Sequence, residues 1–241
     1  MAKIIVIEGT DGSGKETQSK RLEAYYTEQG YKVKRYSFPI YESATGKIVG
    51  GPFLGKPEIM NTFFEETSSK VDPLVSSLYY AADRRYNFLK EIEADLEVQD
   101  IVILDRYTTS NMGFQVAKAK TDEHREKILR FLDVLEYDLC ELPRPDLVLF
   151  LHMPLEAATE LRKGREFSDG NEADLEYQKH SEDTYLYLCD KCGWKYVNCI
   201  NGEYHGVEDI KPIETINEEL IGIIDEELKR DTNQVKKMTR F

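Results

Sequence analysis

Short apolar runs recur along the chain, separated by longer segments in which apolar residues are spaced three or four positions apart. The runs are rich in β-branched residues, as is typical of strands buried on both faces of a parallel sheet. Each run is too short to be read as a helix of ordinary length. We predict strands over residues 3–8, 32–37, 100–104, 147–153 and 194–199.

The segments between these runs carry the apolar spacing of helices. Gly30 closes the first of them, since glycine commonly follows the end of a helix. Pro39 and the glycines after it interrupt the pattern, so short helices and turns are expected up to residue 55. The predicted helices cover residues 15–29, 72–96, 107–119, 122–139 and about 207–229. Two more lie between these: one runs from the fourth strand to about residue 162, and one runs from a charged loop to about residue 192.

Strands that alternate with helices predict an α/β fold, an open parallel five-stranded sheet with helices on both faces. We expect one domain over residues 1–229 and a polar C-terminal tail over 230–241. Ligands of such folds bind beyond the carboxyl ends of the strands, where the strand order reverses. Residues that follow the strands directly are therefore the first candidates for function.

A glycine-rich segment, GTDGSGKET, follows the first predicted strand. It matches the pattern G-x-x-x-x-G-K between a strand and a helix, which is the context that gives the pattern its meaning. Its backbone N–H groups and the helix N-terminus would surround the phosphates of ATP, and Lys15 would neutralise charge on the transferring group. The fold is thus predicted to be three-layered and like that of P-loop NTP hydrolases. The predicted ATP-binding residues here are Gly9, Thr10, Asp11, Gly12, Ser13, Gly14, Lys15, Glu16 and Thr17.

One position of this loop departs from the usual pattern. A serine or threonine normally follows the lysine and ligates Mg²⁺, whereas this chain has Glu16. A carboxylate can also ligate Mg²⁺, but without a metal it would repel the triphosphate. Thr17 offers a hydroxyl one residue later, about 100° further around the helix. Direct ligation by Glu16, ligation through water and a side chain that points to solvent all remain open.

The formal net charge of −13 argues against general binding to nucleic acids or anionic membranes. An anionic substrate would therefore need a local cluster of basic residues. No secretory signal fits the N-terminus, and no apolar run approaches the roughly 20 residues of a membrane-spanning helix. A cytoplasmic protein with reduced thiols is expected. Cys189 and Cys192 form one C-x-x-C, which we interpret as ordinary helix-end residues because zinc usually requires a second pair.

Five segments, in order along the chain, resemble the thymidylate kinase family. They are the phosphate loop through Gln18, Phe38-Pro39, Leu78 to Arg84 (LYYAADR), Asp105 to Asn111 (DRYTTSN), and Pro145 to Leu147. The combination covers most of the chain and is far more specific than any one motif. The resemblance implies a homodimeric kinase that transfers the γ-phosphate of ATP to thymidine monophosphate with the help of Mg²⁺.

The resemblance also implies roles around the reacting phosphates. Arg106 would clamp the acceptor phosphate and the transferring group, because a guanidinium fork suits phosphate oxygens. Asp105 ends a buried strand, where a carboxylate needs a metal–water or a basic partner, and is a candidate for Mg²⁺ together with Glu16 and Thr17. Asp11 would orient the acceptor phosphate through Arg106 or through metal-bound water.

We expect the base to be recognised by residues of the matching segments and by Phe114 and Gln115, which follow Asp105 to Asn111. Asn111 carries a donor and an acceptor for the thymine edge, and Arg84 could donate to a base carbonyl. Tyr80 or Phe38 could stack on the ring, although aromatic residues at such spacing also serve as core. The predicted acceptor-binding residues are Phe38, Tyr80, Arg84, Arg106, Ser110, Asn111, Phe114 and Gln115.

The segment from Arg162 to Arg165 resembles the start of the mobile lid of these kinases, here expected over about 162–173. Because the phosphate loop has Gly12 and Ser13 and no arginine, the lid would supply the cation, with Arg162 binding ATP and Arg165 catalytic. A solvated charged loop is the alternative. Two other functions remain open: a kinase for another nucleoside monophosphate, and a catalytically degenerate ATP-binding protein of this fold.

Overall fold

The computed structural model describes residues 1–163 and 174–238. Residues 164–173, which include Arg165 and most of the predicted lid, lie outside the described residues, as do residues 239–241. The roles predicted for Arg165 and for the lid therefore stay predictions.

Five parallel strands form the central sheet of the described chain, in the order β2-β3-β1-β4-β5. They are β1 (Lys3–Glu8), β2 (Val33–Ser37), β3 (Ile101–Asp105), β4 (Leu147–His152) and β5 (Lys195–Asn198). The predicted open parallel sheet is confirmed. Because β1 lies between β3 and β4, the chain reverses its direction of winding beside β1, and a ligand site is expected at the carboxyl ends of β1 and β3.

Helices fill the connections, as the apolar spacing predicts. They are α1 (Lys15–Glu28), α2 (Ala44–Ile48), α3 (Pro73–Asn87), α4 (Glu93–Val98), α5 (Thr108–Val116), α6 (Asp122–Asp133), α7 (Leu155–Arg162), α8 (Leu175–Cys192) and α9 (Ile213–Met238). Three of them run directly into π-helical turns over Val49–Phe53, Phe88–Ile92 and Val134–Leu139, and a 3₁₀ turn covers Val207–Asp209.

Alternating side chains of the strands pack on opposite faces of the sheet. Ile5 and Ile7 of β1 pack in a core that includes residues of α1, α7 and α9. Ile4 and Val6 pack in a second core with residues of α4 and of the π-helical turn Phe88–Ile92 before it. The sheet is thus covered on both faces, which confirms the three layers. The same alternation directs Glu8 towards α5 and α8, whereas Asp105 shares a face with Ile103 and α1.

The last helix differs from its prediction over 207–229 at both ends. It begins at Ile213, directly after Pro212, because proline disfavours helical geometry in the residue before it. Beyond the predicted end at residue 229 it continues to Met238, because residues 230–238 include neither glycine nor proline to stop it. The helix therefore crosses the boundary predicted between domain and tail, and that division remains a prediction.

Two smaller expectations concern the cysteines and the membrane. Cys189 is buried and Cys192 exposed at the end of α8, and both are free thiols, as are Cys140 and Cys199. Among the described residues, no helix combines the length and the apolar character that crossing a bilayer would take.

Candidate active site

The phosphate loop runs from the end of β1 to the start of α1 and wraps tightly against α7. Gly12 has a φ of +88°, which glycine adopts readily. A Cβ atom at this position would lie 2.9 Å from the carbonyl oxygen of Ala158 and 3.3 Å from the Cγ of Arg162. The loop therefore requires glycine here both for its backbone conformation and for the close approach of α7.

Lys15 folds back over this loop and is buried. Its ammonium group donates to the carbonyl oxygen of Thr10 at 2.8 Å and to the hydroxyl of Ser13 at 3.4 Å. Burial, with a further contribution from Arg106, lowers the pKa of Lys15 to about 8. The first turn of a helix and a lysine thus face the same small space, which is the arrangement that binds phosphate.

Glu16 lies on the solvent side of α1. Its side chain is 70% exposed and accepts a hydrogen bond of 2.6 Å from Lys20, one helical turn later. Of the three alternatives left open by the sequence, the structure has the side chain that points to solvent. The exposure of the Glu16 side chain gives no support to the predicted metal contact, which stays a prediction. Thr17 is also exposed, in the first turn of α1.

Arg106 and Asp11 join the loop to the end of β3. Arg106 forms an ion pair with Asp11, donates to the carbonyl oxygen of Gly9 at 3.3 Å, and lies 5.0 Å from the ring centre of Phe114. Burial alone would raise the pKa of Asp11, but Arg106 and two other nearby cations lower it overall. The predicted link between Asp11 and Arg106 is thus present in the geometry, with Arg106 at a φ of +67°.

Glu8 is a central residue that the sequence reasoning missed. It is fully buried at the end of β1 and accepts hydrogen bonds from four groups. They are the backbone N–H of Tyr107 (3.2 Å) and the hydroxyls of Thr109 (2.6 Å), Ser110 (2.8 Å) and Tyr185 (2.9 Å). These bonds fix Tyr107 and the first turn of α5, and so the position of Arg106, which directly precedes Tyr107. The sequence does contain a signal for this role, because Glu8 is a carboxylate at the end of an otherwise apolar strand.

Asp105 lies on the opposite face of the sheet, beside α1. It is 4% exposed, and its carboxylate lies 3.8 Å from the guanidinium of Arg35. Arg35 also donates to the hydroxyl of Ser19 at 2.9 Å. The basic partner expected for a buried carboxylate is therefore Arg35 of β2, and the role of Asp105 towards a metal stays a prediction.

A pocket opens beside the loop, between it and helices α3 and α5. The empty space within it, with the open solvent at its mouth included, is about 630 Å³. All the residues predicted to bind the acceptor line it: Phe38, Tyr80, Arg84, Arg106, Ser110, Asn111, Phe114 and Gln115. The sequence reasoning missed further lining residues, namely Pro39, Tyr41, Leu54 and Asp83, while Asp11 was assigned to the loop.

Two polar side chains of this pocket, those of Arg84 and Asn111, form hydrogen bonds with Glu136, which does not line the pocket. Arg84 forms a buried ion pair with Glu136, in which its Nε donates to Oε2 at 3.0 Å. Asn111 donates to Glu136 Oε1 at 2.7 Å and to the carbonyl oxygen of Ser77 at 3.3 Å. Gln115 is buried, and its side-chain oxygen has no hydrogen-bond partner among the described residues. Such an atom is suited to accept a hydrogen bond from a ligand.

Arg162 is the part of the predicted lid that the structure describes. It ends α7, lies against Gly12, and its Nε donates to the carbonyl oxygen of Ala158 at 3.3 Å. Its buried Nη1 has no partner among the described residues. A buried guanidinium nitrogen beside the phosphate loop is in position to meet an anion.

Comparison with known proteins agrees with this geometry. The family model described as "Thymidylate kinase" matches residues 7–210, which span the phosphate loop, the pocket and all but the start of the sheet. The chain belongs to the thymidylate kinase family. The predicted resemblance is thus confirmed, and with it the assignment as an ATP-dependent nucleoside monophosphate kinase, a transferase.

Individual relatives match over nearly the whole chain. A probable thymidylate kinase of Thermococcus gammatolerans is 27% identical over 230 residues, 95% of this chain and 98% of that protein. A thymidylate kinase of Arabidopsis thaliana is 28% identical over 200 residues, 81% of this chain and 64% of that one. The solved thymidylate kinase structure from Candida albicans aligns with a TM-score of 0.65 at 22% identity, covering 93% of this chain and 92% of its own, and it supports the fold.

Proposed function

We propose that this protein transfers the γ-phosphoryl group of ATP to the 5′-phosphate of thymidine monophosphate, giving ADP and thymidine diphosphate. The observation that carries the proposal is the Arg106–Asp11 pair. It is bonded to the phosphate loop through Gly9 and also lines the acceptor pocket. Two phosphate sites that share one arginine are what a transfer between two nucleotides requires.

On the donor side, the loop would bind the triphosphate through its backbone N–H groups, with Lys15 at the β- and γ-phosphates. Arg162 would add a second cation from α7, and Arg165 a third from the lid. The gain in rate would come from positioning and from neutralising charge in the transition state, without a covalent intermediate.

On the acceptor side, Arg106 would hold the 5′-phosphate in line with the γ-phosphorus. Phe38 and Tyr80 would contact the faces of the base, and Gln115 would accept a hydrogen bond from the nucleoside. The acceptor phosphate is mostly ionised near pH 7, since the second pKa of a phosphate monoester is about 6. No general base is therefore needed, and none of the residues above acts as one.

Magnesium is proposed as the metal, and the residues present fit it. Mg²⁺ prefers hard oxygen ligands and usually takes one or two protein ligands besides phosphates and waters. The hydroxyl of Thr17 lies in the first turn of α1, and the carboxylate of Asp105 faces the same helix. These two side chains would hold the ion, directly or through water, and it would neutralise charge on the bridging phosphate oxygens.

We also propose a homodimer that pairs through α3 and the turn after it. Val75, Leu78, Tyr86 and Leu89 are exposed apolar residues at helical spacing, between 39% and 52% exposed. Val134, at the start of the turn that continues α6, is 46% exposed as well. A row of apolar side chains of this kind favours contact with another protein surface. A cytoplasmic location is proposed too, supported by the four free thiols.

The proposal is tested by measuring ADP release with a panel of acceptors at saturating MgATP. Thymidine monophosphate should be the preferred substrate over the deoxyuridine and purine monophosphates. A strong preference for a purine acceptor would overturn the assignment of the base. ATP binding with no turnover on any monophosphate would instead indicate a catalytically degenerate ATP-binding protein.

A further inference from the structure

Glu136 lies behind the acceptor pocket and does not line it. It is 1% exposed and belongs to the π-helical turn Val134–Leu139 that continues α6. Its carboxylate receives hydrogen bonds from two residues that do line the pocket, Arg84 and Asn111. Glu136 is therefore placed to set what those two side chains present to a bound base.

The amide of Asn111 has only one orientation that satisfies its surroundings. Its nitrogen faces Glu136 Oε1 and the carbonyl oxygen of Ser77, and both of these groups can only accept hydrogen bonds. Turning the amide over would place its oxygen against a carboxylate and a carbonyl. The oxygen of Asn111 is thus directed away from Glu136, and no described residue donates a hydrogen bond to it.

Arg84 is constrained in the same way. Its Nε and Nη2 are both taken by the carboxylate of Glu136. The remaining nitrogen, Nη1, donates to no described residue, and the side chain lines the pocket. The pocket therefore offers an acceptor from Asn111 and a donor from Arg84, and both roles depend on one buried carboxylate.

We propose that Glu136 determines specificity by positioning: it makes the pocket select bases that carry a ring N–H next to a carbonyl. Thymine and uracil present N3–H beside O4, which complements the acceptor of Asn111 and the donor of Arg84. Cytosine presents the reverse pattern, an acceptor at N3 beside an amino group. This inference rests on the proposed function, because it concerns the same acceptor site.

The substitution Glu136→Gln isolates this role. Glutamine keeps the size of the side chain but can turn an NH₂ group towards Asn111, whose amide is then free to turn over. Thymidine monophosphate and 5-methyldeoxycytidine monophosphate are the substrates to compare, since they differ only at the 4-substituent and N3. Guanine shares the N–H and carbonyl pattern, so a pair of pyrimidines separates this effect from base size.

The experiment measures kcat/KM for both nucleotides with wild type and the Glu136→Gln variant. Wild type should favour thymidine monophosphate by about 100-fold or more, as expected where a buried polar group would be left unpaired. In the variant that ratio should fall at least about tenfold, while the KM for ATP stays unchanged. A general loss of structure would lower kcat/KM for both nucleotides together and leave the ratio of the two values unchanged.

Glu126→Gln, at a solvent-facing position of α6 paired with Lys191, is the matched control and should keep the wild-type ratio.

A second variant covers the case in which Glu136→Gln does not fold, since it leaves the charge of Arg84 buried without a carboxylate. Arg84→Met combined with Glu136→Leu removes both charges and keeps the volume. Circular dichroism checks that this double variant folds. Its ratio of kcat/KM for thymidine monophosphate to kcat/KM for 5-methyldeoxycytidine monophosphate should approach unity. A folded variant of either kind that retains the wild-type ratio would overturn the inference. If wild type itself phosphorylates neither pyrimidine, the proposed function fails instead.

Discussion

At the scale of single residues, the phosphate loop depends on a lysine whose charge is weakened by its surroundings. Lys15 is buried beside Arg106, and its pKa falls to about 8 as a result. Within the described part of the chain, the ammonium group donates to the carbonyl oxygen of Thr10 and to the hydroxyl of Ser13. The arriving phosphates would stabilise its charged form, so the free enzyme is the state that is sensitive to pH.

We therefore expect kcat/KM for ATP to fall as the pH rises through about 8, approaching tenfold per pH unit above it. Below pH 8 Lys15 is mostly protonated and attracts the triphosphate, whereas above it the charge is lost. Steady-state kinetics between pH 6.5 and 9.5 measure this fall in kcat/KM, since kcat/KM reports the ionisable groups of the free enzyme.

Lys15→Ala should lower the rate of phosphoryl transfer by about 10²–10³-fold or more at every pH. A flat profile, or a fully active Lys15→Ala variant, would contradict the assignment of the loop.

Glu16 provides a contrasting residue in the same turn. Because the Glu16 side chain is exposed and its carboxylate accepts a hydrogen bond from Lys20 on the solvent side of α1, Glu16→Thr should keep or raise kcat. The free energy of unfolding should change by no more than about 0.5 kcal/mol, as is usual for a helical surface pair. Both quantities are measured beside Glu16→Gln, which removes the charge without adding a hydroxyl. A loss of more than about tenfold in kcat would show that the carboxylate takes part in the reaction.

At the scale of elements, the buried side chain of Glu8 and the half-buried side chain of Lys118 anchor the two ends of α5. Glu8 of β1 binds the first turn of α5. Lys118, just beyond its last turn, donates to the carbonyl oxygens of Ser68 and Val71 and to the hydroxyl of Ser76. Between these points α5 presents Ser110, Asn111 and Gln115 to the pocket. The rigidity of the acceptor site is thus a property of the helix and of its two anchors.

Glu8→Gln should lower the free energy of unfolding by about 1–3 kcal/mol, because hydrogen bonds to a charged acceptor are replaced by weaker ones. It should also lower kcat, since Arg106 directly precedes Tyr107, whose backbone N–H donates to Glu8. Urea unfolding and steady-state kinetics measure the two effects. Glu91→Gln, at an exposed position of the turn after α3, serves as the control. Unchanged stability in the Glu8→Gln variant would contradict the role assigned to this carboxylate.

Lys118 predicts a dependence of stability on pH. Burial lowers its pKa to about 7 in the folded chain, against about 10.4 for an unperturbed lysine. Between these values the unfolded chain binds more protons, so the free energy of unfolding should rise with pH. Urea unfolding of wild type and of Lys118→Met, at several pH values from 6.5 to 9.5, measures the difference. The free energy of unfolding of wild type should rise by about 1–3 kcal/mol relative to that of Lys118→Met over this range. A difference between the two proteins that does not change with pH would contradict the lowered pKa of Lys118.

At the scale of the whole molecule, the sheet brings distant motifs to one edge. The loop after β1 and the turn after β3 meet because these strands are neighbours in parallel register, with Ile7 beside Asp105. Arg106 and Asp11 are 95 positions apart in sequence yet form an ion pair. On the outer surface, the exposed apolar row on α3 remains available for a second copy of the chain.

Leu78→Glu should convert the proposed dimer into a monomer, because it places a charge in the centre of that row. Sedimentation equilibrium at micromolar concentration measures the mass of each protein. Val98→Glu, at another exposed apolar position at the end of α4, should leave the mass unchanged. A wild-type protein that is monomeric under these conditions would contradict the proposed pairing.

The sequence by itself determined the features that depend on neighbouring residues. Apolar runs define the three central strands, β1, β3 and β4, because a strand buried on both faces needs consecutive apolar residues. The spacing of glycines and Lys15 defines the phosphate loop, since loop and helix start are one continuous segment. The eight residues predicted for the acceptor line one pocket; six of them come from the motifs, and Phe114 and Gln115 follow the motif that ends at Asn111.

Only the tertiary structure decided which polar groups meet across the fold. Glu136 lies 52 positions from Arg84, and Glu8 lies 177 positions from Tyr185, so neither pairing leaves a local pattern. Periodicity tells which face of an element is buried, but not which distant group compensates a buried charge. The direction of the Asn111 amide is likewise set by two acceptors from other helices. Base selection is therefore encoded in contacts that form only when the helices pack.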